Sequence, residues 1–368
     1  MTARTAAHPI PTKSRWAKTA AARTHSQPRP GSNPAAATLR EIANEGAEVL
    51  YTGALARRIL DDMRAHGGLL TPEDLSGFLP ELRSPLFVSY RGYDIALPPP
   101  PAGGILIAEM LRILEHFDLV ALGHNTPEYI RVLAEAMKIA GCDKNRHIGD
   151  PRFVPPPLER LLSDAYVGEC ASAIRRGEKT PLDLVETEAK ETTTLSCVDR
   201  DGMVVSLTHT LGTSSGVIPP GTGFMLNGGM NAFDSRPRGA GSIAPGKRRF
   251  STMSPTIVFR QGRPVMTLGA PGGAWIAVAL TQVIVNVLDW GMDIGEAICG
   301  PRISATSSVI DICNRVPRVT QSAVEAMGYE VRRSALSYAF GGVHGITMFD
   351  GELAGAADPQ RDGYAEGV

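Results

Sequence analysis

Apolar positions recur at helical spacing once the chain passes its first few dozen residues. Leu39, Ile42, Ala43, Ala47 and Leu50 fall on one helical face, and Leu55, Ile59 and Met63 continue it after Gly53. Gly67-Gly68 closes this pair of helices. Thr71-Pro72-Glu73-Asp74 reads as an N-cap, a proline at the first helical position and two acids in the first turn. Leu86 to Ala96 alternates around Arg91-Gly92, which predicts a hairpin. Pro98 to Pro101 form a stiff break before Gly103-Gly104, and Ile105 to Phe117 then predicts a helix. Thr126-Pro127-Glu128 opens another helix, expected to run to about Ala140, and a further helical segment spans about Leu158 to Arg175.

Beyond the acidic stretch 186–191 the period shifts toward two. Leu195 to Val198 and Met203 to His209 are short strand-like runs with Asp201-Gly202 between them, a strong hairpin signal. Thr256 to Phe259 and Pro264 to Leu268 flank a second turn at 260–263, and Val343 to Phe349 with Leu353 to Ala356 flank a third at Asp350-Gly351. Ile276 to Leu288 is apolar nearly all round, which predicts a buried helix. Hairpins interleaved with long apolar helices imply helices laid over sheet faces.

Composition narrows the class. The 368 residues are 43% hydrophobic and 20% charged, average for a globular protein, and the net charge of -1 gives no global attraction to nucleic acid or anionic membrane. No apolar run reaches the roughly 18 residues of a membrane-spanning helix, so neither nucleic-acid nor membrane partners are expected. The five cysteines are scattered without CxxC spacing, and the eight histidines show no HExxH pattern. No metal and no cofactor are therefore expected. Residues 1–37 differ from the rest: they hold six Lys or Arg and no Asp or Glu, and read as a disordered basic leader. With no secretory cleavage pattern in it, a cytoplasmic location is expected.

The chemistry-bearing stretch is Glu191-Thr192-Thr193-Thr194-Leu195-Ser196. Threonines opening a strand are explained by strand propensity alone. Their downstream company changes the weighting. Thr208-His209-Thr210-Leu211-Gly212-Thr213-Ser214-Ser215-Gly216 is followed by Pro220-Gly221-Thr222-Gly223, Met225-Leu226-Asn227-Gly228-Gly229-Met230, Phe250-Ser251-Thr252-Met253-Ser254-Pro255-Thr256 and Gly269-Ala270-Pro271-Gly272-Gly273. Gly300-Pro301-Arg302 and Ala356-Ala357-Asp358-Pro359 follow. In this order and spacing the segments resemble the small subunit of gamma-glutamyltransferases, members of the N-terminal-nucleophile hydrolases. Tyr90 to Tyr93, the proline-rich turn and Leu122-Gly123-His124-Asn125 resemble the latter part of that family's large subunit. The resemblance covers the chain from about Leu39 onward, so 38–191 would be large-subunit-like and 192–368 small-subunit-like.

The resemblance implies an α+β fold, the four-layer αββα sandwich of these hydrolases, incomplete at its N-terminus because the match begins in mid large subunit. It implies self-cleavage between Glu191 and Thr192 into two fragments that remain together as a heterodimer. Thr192 would then be the nucleophile and its freed amine the base. Thr210 would hydrogen-bond it, Gly272 and Gly273 would supply oxyanion N–H groups, and Ser251 and Thr252 would hold a substrate carboxylate. The implied activity is acyl transfer or hydrolysis at a small gamma-glutamyl amide of the glutathione type.

Three departures matter. The family's ammonium-binding Asp falls on Ala232, leaving Asn231 and Asp234 as nearby polar groups, and Gly212 replaces a substrate-contacting Asn. An uncharged site forgoes a contact worth about 1.5–3 kcal/mol. The stretch from Phe233 to Phe250 is too short for a lid loop, as in the cephalosporin-acylase-like branch. The first part of the large subunit is not matched. Two alternatives therefore stand beside glutamyl transfer: an acylase for a non-glutamyl dicarboxylate amide, and an inactive truncated relative.

Overall fold

A computed structural model describes residues 33–182 and 192–367. Two compact units emerge, the first from residues 33–82 and 214–228. Helices α1 (Pro34–Glu45), α2 (Glu48–Tyr51), α3 (Ala54–Ala65) and α4 (Pro72–Ser76) follow the expected periodicity. The side chain of Asn33 caps α1 by accepting from the Ala35 and Ala36 N–H groups, so helix begins inside the stretch expected to be a leader. The remainder of that leader, residues 1–32, lies outside the described residues. Thr71 caps α4 in a reciprocal capping box with Asp74. Val49, Leu55 and Ile59 form a small core with Ile42, Phe224 and Leu226.

The second unit holds residues 83–213 and 229–367. In chain order come strands β1 (Leu86–Tyr90) and β2 (Tyr93–Leu97) and helices α5 (Gly104–Leu114), α6 (Leu119–Leu122), α7 (Pro127–His147), α8 (Leu158–Leu161) and α9 (Asp164–Arg175). Strands β3 (Thr192–Val198), β4 (Val204–Thr210), β5 (Thr256–Arg260) and β6 (Arg263–Gly269) lead to the buried helix α10 (Trp275–Leu288). Then follow α11 (Ile294–Cys299), β7 (Ile303–Ser304), β8 (Ile310–Ile312), α12 (Arg318–Ala326), β9 (Val331–Arg333), β10 (His344–Phe349) and β11 (Glu352–Ala357). All four expected hairpins are present. Their turns use left-handed residues at Arg91-Gly92, Gln261-Gly262 and Asp350-Gly351, and at Gly202.

Two helical expectations shift. Helix α7 runs past Ala140 to His147, because Gly141 faces Leu182 at close quarters and Lys144, Arg146 and His147 favour the helix C-terminus. The segment 158–175 divides into α8 and α9, because Ser163 turns the chain and caps α9 at the Tyr166 N–H.

The main sheet has the order β1-β2-β5-β6-β10-β11, antiparallel throughout. Its helix-facing side packs with α5, α7 and α10 into one large core. Its other side receives the two-stranded ribbon β3-β4. On β6, Thr267 and Gly269 face the ribbon, while the alternate Leu268 reaches α11 near Ile294. The described residues of this unit thus show a helical layer, a six-stranded sheet and a second sheet.

The ribbon inverts the usual polarity. Thr192, Thr194 and Ser196 alternate inward, whereas Leu195, Val205 and Leu207 are 42%, 47% and 47% exposed. Hydroxyls therefore meet the main sheet: Ser206 Oγ donates to the Leu268 carbonyl at 3.0 Å, and Thr267 Oγ1 to Ser196 Oγ at 3.4 Å. Thr194 occupies a notch over Gly269, where an added Cβ would lie 1.9 Å from Thr194 Oγ1. Gly269→Ala should lower unfolding stability by about 1–3 kcal/mol through this clash, and Thr194→Ala should restore part of the loss. Denaturant titration of the three variants checks this, and an unchanged midpoint for Gly269→Ala would remove the notch from the account.

Candidate active site

Register brings the site residues to one end of the main sheet. Thr194 lies over Gly269 and Ser196 contacts Thr267. Two residues earlier on β3, Thr192 opens the ribbon at the end of β6 from which the chain runs on into Pro271 and the Gly272-Gly273 turn. The β5-β6 pairing sets Thr256 opposite Leu268, so the segments 251–254 and 270–273 leave the sheet at this same end.

Thr192 is 6% exposed and pairs across the ribbon with Thr210. Its Oγ1 donates to Thr210 Oγ1 at 3.0 Å, and the Gly212 N–H donates to that same oxygen at 2.9 Å. Thr210 Oγ1 thus accepts twice, and the Thr192 hydroxyl keeps its oxygen lone pairs uncommitted by this bond. Glu191, the expected partner at the scissile bond, lies outside the described residues.

Gly272 and Gly273 have φ of 140° and 57° and precede α10. Both require glycine: their φ values are left-handed, and a Cβ on Gly272 would meet Gly341 Cα at 2.8 Å. The turn lies at a helix N-terminus, where N–H groups have no partner within the helix and favour negative charge.

A buttress behind this turn has no counterpart in the sequence-level reading. Gly342 N–H donates to the Pro271 carbonyl at 3.0 Å, and Trp275 stacks edge-on with Phe340 at 5.2 Å. The loop 339–343 is fixed in turn by Arg302, 2% exposed, which donates to the Gly341 carbonyl at 2.9 Å and pairs with the buried Asp358 carboxylate. Asp358 also accepts from the Val343 N–H at 3.3 Å. The two sequence motifs around Arg302 and Asp358 were visible, but only their meeting shows what they do.

Ser251 and Thr252 lie beside the N-terminus of α5. Ser251 N–H donates to the Pro101 carbonyl at 2.8 Å, and Gly103 sits so close that a Cβ would be 2.6 Å from the Thr252 carbonyl. The proline-rich turn and its glycine pair therefore hold the hydroxyl pair in place. Asn231 and Asp234 lie on and just after a short 3-10 turn (Gly229–Ala232). Asn231 Nδ2 donates to Thr213 Oγ1 at 2.8 Å. The Asp234 carboxylate is occupied by Arg236, with Nη2 at 2.7 Å, and that guanidinium holds it below the usual carboxylate range. Asp234 is thus neutralised within its own turn. A cavity of about 30 Å³ behind Ala274, lined by Met110, Met137 and Lys144, is too small for a substrate.

The short connection before Ser251 is anchored by Asp150, which is 1% exposed. It accepts from Arg152 Nη2 at 2.6 Å and from the Arg248 N–H at 2.8 Å. Gly149 fits against the Ala240 carbonyl, where a Cβ would be 2.1 Å away. The five cysteines are free thiols. Among the described residues there is no helix long and apolar enough to cross a membrane, and no cluster of His, Cys, Asp or Glu suited to a metal.

An antiparallel sheet layered against helices and a second sheet, with a buried threonine opening a strand and a glycine turn leading into a helix at the same sheet end, is the arrangement of the N-terminal-nucleophile hydrolase class. The family profile described as gamma-glutamyltranspeptidase matches residues 5–368, and the chain belongs to that family. The match takes in most of the basic leader. The chain is 41% identical over 334 residues to the Acylase ACY 1 proenzyme of Pseudomonas sp. (strain V22), covering 89% of this chain and 60% of that protein. It is 35% identical over 347 residues to the glutathione hydrolase proenzyme of Escherichia coli (strain K12), covering 88% and 59%. Among solved structures it resembles cephalosporin acylase from Bacillus halodurans, with 29% identity, a TM-score of 0.81, and coverage of 96% of this chain and 67% of that one. The chain thus spans about 60% of the length of these curated relatives.

Asp150 gives the site region a pH signature. The Arg152 guanidinium, against the opposing effect of burial and with help from the Arg248 and Arg152 N–H groups, holds its carboxyl well below the usual range. Its contribution is complete above the unfolded value near 3.9 and fades as pH falls below that toward the depressed folded value. Asp150→Asn should cost about 2 kcal/mol near neutral pH and flatten the acid limb of the stability curve below about pH 4. Thermal melts of both proteins from pH 3 to 7 check it, and parallel acid limbs would refute the assignment.

Proposed function

We propose that this chain is an autocleaving amide hydrolase and acyltransferase whose acyl donor carries a terminal carboxylate and needs no ammonium group. The carrying observation is the buried Thr192 hydroxyl donating to Thr210 at the start of β3, at the sheet end where β6 runs on into the Gly272-Gly273 turn.

In the first reaction Thr192 Oγ attacks the Glu191 carbonyl carbon. The C–N bond breaks, the hydroxyl proton ends on the departing Thr192 nitrogen, and an ester forms. Water hydrolyses it, leaving a Glu191 carboxylate and a free Thr192 α-amine. That amine, with a reference pKa of about 7.7–8.0, is the general base of the mature site. It takes the Thr192 hydroxyl proton as Oγ attacks a substrate amide, then protonates the leaving amine. The acyl ester passes to water or to an acceptor amine. Gly272 and Gly273 N–H groups stabilise the oxyanion, and Ser251 and Thr252 receive the donor's carboxylate.

Cleavage need not separate the pieces. β1 and β2 precede Thr192, yet β2 pairs with β5 in the same sheet. Two fragments would share that sheet and one core as a heterodimer.

The charge balance supports the acylase reading. Ala232 has no charge, Asn231 is tied to Thr213, and Asp234 to Arg236. No carboxylate of the 231–234 turn is left for an ammonium. The second reading, gamma-glutamyl hydrolysis, is favoured by the retained hydroxyl pair and by the relatives named glutathione hydrolase.

The purified 39.2 kDa chain should convert to two bands of about 20 kDa each, the new one beginning Thr192-Thr193-Thr194, and Thr192→Ala should stay whole. A persistent single band after long incubation would favour an inactive relative. Glutaryl anilide should be cleaved as fast as gamma-glutamyl anilide or faster. A preference for the glutamyl donor of tenfold or more would instead favour the second reading.

A further inference from the structure

Arg249 differs from most other partly or fully buried arginines of this unit, and from Arg333, which also has no carboxylate but spends its donors on Gln321 and on the Asn314 and Val316 carbonyls. Arg91 pairs with Asp289, Arg131 with Glu128 and Arg302 with Asp358. Among the described residues no carboxylate pairs with Arg249, although its side chain is partly buried. Its hydrogen bond is local: Nη1 donates to the Phe250 carbonyl at 2.9 Å. Burial alone lowers its pKa, the mark of a cation drawn out of water without a compensating anion.

That hydrogen bond also locates the guanidinium. The Phe250 carbonyl oxygen is bonded to the carbon that precedes Ser251 N. Standard bond lengths then keep Nη1 within roughly 8 Å of Ser251 Oγ. One carboxylate, accepting from a hydroxyl on one oxygen and a guanidinium on the other, bridges about that distance. The backbone is pinned on both sides of Arg249, by Asp150 at the Arg248 N–H and by the Pro101 carbonyl at the Ser251 N–H. The cation is therefore preorganised rather than swinging on a free loop.

We propose that Arg249 is the specificity-determining cation of the acyl subsite, binding the terminal carboxylate of a dicarboxylic monoamide together with Ser251 and Thr252. This rests on the reading above that the hydroxyl pair receives a carboxylate. It accounts for a partly buried arginine that no carboxylate among the described residues pairs with, two positions before Ser251. It also fits the neighbouring turn, which offers no negative charge that is not already neutralised. A pocket with this balance selects a donor bearing one anionic end, and gains nothing from an added ammonium.

The alternative role for Arg249 is that its stem merely covers apolar surface. Two measurements on the full chain separate the roles. The first compares glutaryl and pentanoyl anilides, which differ by the terminal carboxylate. In Arg249→Met the ratio of kcat/KM for glutaryl over pentanoyl anilide should fall about 10- to 100-fold, mostly through KM, and Arg249→Lys should recover part of it. A ratio unchanged in Arg249→Met would overturn the proposal. The second measurement needs no turnover. Millimolar glutarate should raise the thermal midpoint of the parent chain, pentanoate should not, and Arg249→Met should abolish the glutarate shift. An equal shift in both proteins, or none in the parent, would overturn it. If neither anilide is cleaved but the glutarate shift depends on Arg249, the hydrolase reading fails and the subsite stands.

Discussion

The fit of Thr194 over Gly269 sets the geometry of everything around it. Two sheets normally approach through interdigitating apolar side chains about 10 Å apart. Here the ribbon turns Thr192, Thr194 and Ser196 toward the main sheet and leaves Leu195, Val205 and Leu207 outside. A seam of hydroxyls gains little from burial, so its stability rests on each hydroxyl finding a partner. Thr194 shares one with Thr208 at 3.0 Å, Ser206 with Leu268 and Thr267 with Ser196. Those bonds define a register, and a slip of one residue would carry every hydroxyl to the outer face. The cost in apolar burial is offset by placement: the same register that seats Thr194 over Gly269 sets Thr192 at the sheet end from which the Gly272-Gly273 turn departs.

Much of this was legible in the chain because turn chemistry is local. Arg91-Gly92, Asp201-Gly202 and Asp350-Gly351 announce hairpins because few residues accept positive φ. The long helices follow from apolar spacing. What escaped notice depends on distant contacts. Strands β7, β8 and β9 are two or three residues long and carry no period. Helix α11 is signed by the capping box Asp293 to Glu296, a signal present in the sequence but passed over. Gly141 resembles a helix stop until Leu182 is seen against it. The inward face of the ribbon ran against the pattern of Leu195 and Leu207, which on hydrophobicity alone would be placed inside.

The site divides in the same way. Thr192, Thr210, Ser251, Thr252, Gly272 and Gly273 stand out by motif, and the fold gathers their segments at one sheet end. The roles of their neighbours were not legible. Asp234 looks available in the sequence, yet Arg236 lies two residues away and takes both carboxylate oxygens. Asp150 carries no motif and still orders the approach to Ser251. Arg249 reads as one more basic residue in a basic run until the fold shows no carboxylate paired with it among the described residues. In each case the decisive quantity is where a charge finds its counter-charge, which a linear pattern does not encode.

The Gly272-Gly273 turn depends on residues far along the chain. A side chain at Gly272, whose φ is 140°, is excluded because Gly341 Cα fills the space it would take. Gly341 is held there by the guanidinium of Arg302, and that guanidinium remains buried because Asp358 neutralises it. Breaking such a pair leaves a bare charge in the core and costs about 3–5 kcal/mol, far more than any contact the turn itself makes. Stability and the geometry of the turn are thereby coupled through one loop. In the proposed role, N–H groups that meet a transient charge gain from a rigid backing, since a shift of about 1 Å misdirects them. The buried pair supplies that rigidity from behind.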